Sequence, residues 1–362
     1  MSGRLVPLAE LKERDLAAWR RLADSAAEPN PFFDPDFVLP AAAALGERDE
    51  VSLALWEDGG EWVACLPIRH YSRWHRLPLR CVATWLHPYC LLGTPLVLPG
   101  REAEGLAALL AAAGGGGGAF AGFEWVSAEG PIGEAIAAAA GARAIGFERF
   151  SRATLERRED GEYLEGRLNG KHRRELRRQG RKLAEELGEE PRLSDRGGDE
   201  AALDAFIELE ASGWKGRGGT ALAAIPGHSE FLRETARRFR ARDAFRLYSL
   251  EAGGRAVAGR CSYVAGGVDF CFKVGYDEAF ARFSPGRELE LQMVDRFHAD
   301  PGLRLLDSCT APDNDLYNRL WRDRRELVST VVPADGPRGR LAAPVVRAAI
   351  ALRERRRERA AE

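Results

Sequence analysis

Between Val268 and Val274 the chain alternates. Val268, Phe270, Phe272 and Val274 are apolar, and Asp269, Cys271 and Lys273 stand between them. A period of two belongs to a strand. The pattern predicts a strand over 268–275 with one apolar face and one face carrying an acid, a thiol and an amine. The period then changes. Leu289, Met293 and Phe297 recur at every fourth residue, which predicts a helix over 284–299 that buries one stripe. Ser284 is its candidate N-cap, and Pro285 sits at the first helical position, where a missing N–H loses no bond. The run 303–308, LRLLDS, reads as a parallel strand returning from that helix, with Asp307 near its C-terminal end. A β-loop-α-β unit of this kind opens a helix N-terminus toward the cleft side of a sheet, where phosphates bind cheaply.

The same signals run along the rest of the chain. Residues 8–24 and 33–45 read as short helices. Strands at 51–57 and 61–71 flank a Gly59-Gly60 turn, a hairpin signal. Further strand segments fall at 81–85 and 93–99, bounded by prolines. A helix over 101–113 leads into Gly114–Gly118, whose entropic cost inside a helix predicts a flexible loop. A strand at 123–127, an Ala-rich helix at 131–140 and a strand at 144–156 follow. In the second half, strands at 244–251, 255–265 and 268–275 are joined by glycine pairs as a meander. Helix 284–299, strand 303–308, a short helix at 315–321 and strand 326–333 complete it. The element order therefore occurs twice, with helices at 160–187, 199–213 and 228–241 in between. This predicts an α/β (α+β) protein of two tandem domains with mixed, mainly antiparallel sheets flanked by helices. The expected boundaries are 1–157 and 158–335, with 336–362 as a basic helical tail.

Composition narrows the class. The 362 residues suit two domains at about 150 residues each. With 45% hydrophobic and 30% charged residues and a formal net charge of −2, the chain is an ordinary globular one. Any basic patch is local. Six cysteines show no CxxC pair and no disulfide framework, which points to a reducing cytoplasm and against a metal site. The N-terminus lacks an apolar signal core, and no stretch reaches about 20 apolar residues. Contact with a membrane would be peripheral.

The run F-K-V-G-Y-D-E-x-F-A-R-F-S-P-G-x-x-L over 272–289, with Leu306-Asp307 after the helix, resembles the second half of CelD-type and FemAB-like acyltransferases of the GNAT superfamily. Ser212-Gly213-Trp214-Lys215-Gly216 is similar to that family's S-W-K-G, and an Arg-rich helix near 174 agrees. The motifs cover residues 160 to 332; the first half agrees only in architecture. The resemblance implies two tandem GNAT-like domains and an acyltransferase. Its donor would be a thioester such as acetyl-CoA, and its acceptor an amine or hydroxyl on a phosphate-bearing sugar or envelope precursor, for instance a sugar nucleotide. A tRNA-dependent aminoacyl transferase and a non-catalytic binding module are the alternatives. Two departures stand out. The usual Q/R-x-x-G-x-G/A pyrophosphate loop is reduced to Arg282, Ser284, Gly286 and Arg287. The relatives' Tyr-Lys pair before a Trp is Tyr317-Asn318 before Trp321.

Candidate residues follow from both readings. Asp307 at a strand end and Asp269 are candidate bases, Tyr276 and Tyr317 candidate acids, and Lys273 a stabiliser of developing negative charge. Arg282, Ser284, Gly286 and Arg287 are the candidate donor-binding turn. Seven Lys or Arg and one Glu lie between Lys171 and Lys182. Lys171, Arg174, Arg178 and Arg181 share a face, and repulsion among them is offset either by a bound phosphate or by nearby glutamates. Trp214 and Lys215 read by themselves as a helix-ending loop anchored by a core Trp; the resemblance makes them candidate walls of the acceptor site. His87 and Trp85 read as structural aromatics of the first half, with function the lesser reading for His87.

Overall fold

The computed structural model describes residues 3–74, 77–158, 163–167 and 170–361, and for residues 165, 167, 172, 173, 214, 215 and 356–361 only the backbone. It divides into two compact units. The first comprises 1–151 with 325–362, and the second comprises 152–324. The sequence reading placed strand 326–333 with the second half, whereas it counts with the first.

The first unit contains β1 (Arg4–Pro7), α1 (Glu13–Ser25), α2 (Pro35–Ala44), β2 (Val51–Asp58), β3 (Glu61–Tyr71), β4 (Cys81–Thr84) and β5 (Leu96–Val97). After these come α3 (Glu102–Gly115), β6 (Phe120–Ser127), α4 (Pro131–Ala140) and the start of β7 (Ile145–Glu156). The predicted hairpin is β2–β3, antiparallel from Val51↔Arg69 to Asp58↔Glu61. β3 pairs antiparallel with β4, and β4 runs parallel to β6 for three residue pairs, with α3 as the crossover. The predicted glycine loop begins later than expected, because α3 takes in Gly114 and Gly115. Gly116 is needed for packing: a Cβ there would stand 2.8 Å from the His70 ring and 3.0 Å from Val82.

The second unit holds α5 (Tyr163–Arg167), α6 (Gly170–Leu187), β8 (Arg192–Asp195), α7 (Glu200–Ala211), α8 (Trp214–Arg217) and α9 (His228–Arg240). β9 (Phe245–Ala252), β10 (Arg255–Ala265), β11 (Val268–Tyr276), α10 (Pro285–Ala299), β12 (Leu305–Asp307) and α11 (Asp315–Leu320) follow. The plan of the first unit recurs. β9, β10 and β11 form the predicted antiparallel meander, and β11 runs parallel to β12 for three pairs, with α10 as the crossover. The apolar stripe of α10 closes the core, with Leu289, Met293, Val294 and Phe297 at most 2% exposed.

Each unit finishes its sheet with a strand from the other half of the chain. The end of β7 pairs antiparallel with β12, Thr154 opposite Asp307. β13 (Asp323–Pro333) pairs antiparallel with β6, Leu327 opposite Ser127 and Pro333 opposite Phe120. α12 (Pro337–Ala361) then lays Val346 and Ile350 on Trp74, Phe120, Phe147 and Val331 of the first unit. The fold class is the expected one: mixed α/β, mostly antiparallel sheet, flanked by helices.

Candidate active site

In the second unit the parallel pairing of β11 and β12 ends at Phe270↔Asp307, yet β11 continues to Tyr276. The strands part at their C-terminal ends, where open α/β sheets place ligands. Among the described residues no other segment hydrogen-bonds into this parting through its backbone. The equivalent parting of β4 and β6 in the first unit is occupied. There the Gly93 N–H donates to the Trp125 carbonyl at 2.8 Å, and a Cβ at 93 would lie 1.8 Å from the Glu124 carbonyl oxygen. Below it, burial and the neighbouring Glu148 push the Glu124 carboxyl up to about 7. Burial also holds His87, whose ring lies 4.2 Å from that of Trp85, down to about 3.

β11 carries a bulge. Cys271 faces Ser262 across the ladder, but Lys273 faces Cys261, so Phe272 is an extra residue. A bulge re-aims the side chains beyond it. Asp269, Cys271 and Lys273 therefore do not share one face as the alternation predicted. Asp269 and Cys271 turn toward α10 and α11, and Val274 and Tyr276 pack with Leu289 and Met293 on that side. The charge of Lys273 is felt instead by His228, the first residue of α9.

Beneath the parting on the α10 side lies a buried polar network. Arg260, Asp269 and Glu290 are fully buried. Arg260 donates to Asp269 at 2.7 Å and to Glu290 at 3.3 Å, and Ser262 donates to Asp269 at 3.0 Å. Tyr317 donates to Glu290 at 2.8 Å and lies 3.6 Å from the Cys271 sulfur. Burial drives the Tyr317 hydroxyl and the Glu290 carboxyl upward and raises Cys271 to about 11, so its thiol is not an activated nucleophile. Asp307 is gripped by Arg152 at 2.7 Å and 2.9 Å and accepts the Cys309 N–H at 2.9 Å. The two candidate bases are thus both buried and both held by guanidinium groups. Sequence reasoning missed Arg152, Arg260 and Glu290; a charged residue in an otherwise apolar run was the available signal.

The turn at 284–287 differs from its expected form. Ser284 sits in left-handed backbone at φ 56° and caps nothing with its side chain. A 3-10 segment over Glu278–Phe283 runs into it, so the chain reverses there. The Ser284 carbonyl accepts the N–H groups of Arg287 and Glu288, and among the described residues no acceptor is seen for the N–H of the buried Gly286. The turn is bordered by α6: Arg287 donates to Gln179 at 2.8 Å and Arg282 pairs with Glu186 at 2.9 Å. The predicted donor turn and the predicted basic helix therefore come together. On α6, Arg178 is paired with Glu175 at 2.6 Å. The exposed Lys171, Arg174, Arg181 and Lys182 have no carboxylate within ion-pair distance among the described residues. The Ser212–Gly216 motif adjoins the same region through Arg217, which pairs with Glu278 at 2.7 Å. Gly216 is obligatory, since a Cβ would stand 1.8 Å from the Ala211 carbonyl oxygen. The Trp214 and Lys215 side chains lie outside the described residues.

Residues 170–319 match the family model described as an acetyltransferase (GNAT) domain. That stretch is similar to GNAT-type acetyltransferase domains. The matched residues include the parting, the turn and the network around Arg260; Arg152 precedes them. No curated protein matches the chain. Among solved structures, FemX is similar at a TM-score of 0.57 and 10% identity, over 86% of this chain and 95% of that one. The C-terminal domain of a putative lysylphosphatidylglycerol synthetase from Agrobacterium fabrum gives 0.55 and 12%, over 93% and 96%. L-PGS from Bacillus licheniformis gives 0.52 and 13%, over 94% and 97%. At these identities the likeness is one of fold alone.

Proposed function

We propose that the chain transfers an acyl group from an acyl-CoA thioester to an amine or hydroxyl of a phosphate-bearing sugar or envelope precursor. The observation that carries this reading is the meeting of the β11–β12 parting, the Gly286 N–H and the α6 cations, both without a partner among the described residues, in one GNAT-like stretch. A helix N-terminus flanked by guanidinium groups suits the pyrophosphate of the donor. The acceptor's nitrogen or oxygen attacks the thioester carbonyl. The tetrahedral oxyanion then collapses, the C–S bond breaks, and the thiolate leaves. The acceptor's proton goes to His228, which burial and the charge of Lys273 hold below its ordinary pKa, so that it is neutral at pH 7. Tyr276, half-buried at the end of β11, protonates the thiolate, and Lys273 stabilises the oxyanion. Asp269 and Asp307 hold the frame through Arg260 and Arg152.

The test is kinetic. A Cβ at Gly286 would make only ordinary contact with Tyr276, at 3.6 Å, so Gly286→Ala is accommodated. It raises the donor's KM, while Lys273→Ala lowers kcat. His228→Gln removes the acidic limb of the kcat/KM profile. Wild-type kinetics in all three variants refutes this site. A thermal-shift response to charged tRNA and none to acyl-CoAs selects an aminoacyl transferase, for which the α6 cations and the FemX-like fold would serve equally. Silence across the panel leaves a binding module.

A further inference from the structure

Many surface arginines of the protein sit against carboxylates, as Arg4, Arg20, Arg69, Arg101 and Arg143 do in the first unit. Three on α12 do not. Arg338, Arg340 and Arg347 are exposed and, among the described residues, have no carboxylate within ion-pair distance. The same helix holds three of the four exposed large hydrophobic side chains among the described residues: Leu341 at 75%, Val345 at 46% and Leu352 at 53%. Their spacing of four and seven puts them on one helix face. A separate stripe, Ala342, Val346 and Ile350, is buried against the sheet. The helix is thus apolar twice over, once toward its own unit and once toward solvent. The outward stripe begins at a cavity of about 410 Å³, where Leu79, Ala119, Leu341 and Ala342 meet Arg80 and Arg338.

An exposed apolar stripe flanked by unpaired guanidinium groups calls for a surface that is apolar inside and anionic outside. We propose that α12 docks the protein on an anionic phospholipid bilayer. Leu341, Val345 and Leu352 enter the acyl boundary, and Arg80, Arg338, Arg340 and Arg347 lie among the phosphates. Charge complementarity selects lipid over a second copy of the chain, since two such helices would bring like charges together. No described helix is long and apolar enough to cross a membrane, so the attachment is reversible and salt-sensitive.

The full chain is co-sedimented with vesicles of phosphatidylcholine alone, and with vesicles containing an equal part of phosphatidylglycerol. Binding to the mixed vesicles only is expected, and it weakens as salt rises. Each of Arg338→Gln, Arg340→Gln and Arg347→Gln lowers partitioning about fivefold. Leu341→Ser with Leu352→Ser abolishes it while leaving the melting temperature in place, because both side chains are already in water. Equal partitioning to both vesicle types, or none to the mixed ones, overturns the proposal. So does a dimer in vesicle-free solution that the double serine variant dissolves.

Discussion

Two side chains of the first unit titrate in opposite senses, and together they set a pH signature. Burial first, and Glu148 second, raise Glu124 to about 7. Between pH 4.5 and 7 the folded chain keeps a proton that the unfolded chain has released, so this group's contribution to stability falls as pH rises. His87, held to about 3 by burial, acts the other way. Between pH 3 and 6.5 the unfolded chain binds a proton that the folded one refuses, so this contribution grows with pH. Each slope is at most about 1.4 kcal/mol per pH unit. The wild type minus Glu124→Gln difference in unfolding free energy should therefore descend from pH 4.5 to 7 and lie flat below. A flat difference throughout would show that Glu124 is solvated. In the second unit, Asp269→Ala leaves Arg260 buried with Glu290, at 3.3 Å, as its remaining carboxylate. The expected loss is about 3–5 kcal/mol in denaturant unfolding. None of these shifts was legible in sequence, because burial is set by what packs from elsewhere in the chain.

At the level of elements, the hairpin 51–71, the meander 244–276 and the helix over 284–299 could be read from period and turn chemistry alone. Those signals are local, and the structure obeys them. The bulge at Phe272 could not. Val268 to Val274 alternate without a break in sequence, and only the register against Cys261 and Ser262 shows the extra residue that parts Lys273 from Asp269. His228 was missed for the same reason: its relation to Lys273 joins residues far apart in the chain. The basic stripe of α6 was visible, and the packing of Leu176, Leu183 and Leu187 explains why it points outward. Arg174→Glu with Arg181→Glu should weaken donor or acceptor binding, read by titration calorimetry. The melting temperature should barely move, since exposed charges contribute about 0–1 kcal/mol. Unchanged binding would reduce α6 to a solvated face.

For the molecule as a whole, the repeated plan was legible, but the ownership of the last strands was not. Strand 326–333 has the same pattern whichever sheet it completes, and its pairing with β6 is a contact of very long range. Removing 337–362 strips Val346 and Ile350 from Trp74, Phe120 and Phe147. At about 1.5–3 kcal/mol for each lost side chain, the first unit should melt several degrees lower while the second keeps its own transition. Differential scanning calorimetry would resolve the two; a single unchanged transition would contradict the packing described. The reciprocal loan of strands also orders events on the ribosome. When β6 emerges, the partner for its open edge has not been made, and it waits until the entire second unit has been translated, roughly ten to forty seconds at ordinary rates of synthesis. The second unit receives β7 early and can close first. Newborn chains should therefore protect the later half from protease before the earlier one, and in that interval the bare β6 edge is the place where a holding chaperone would be needed.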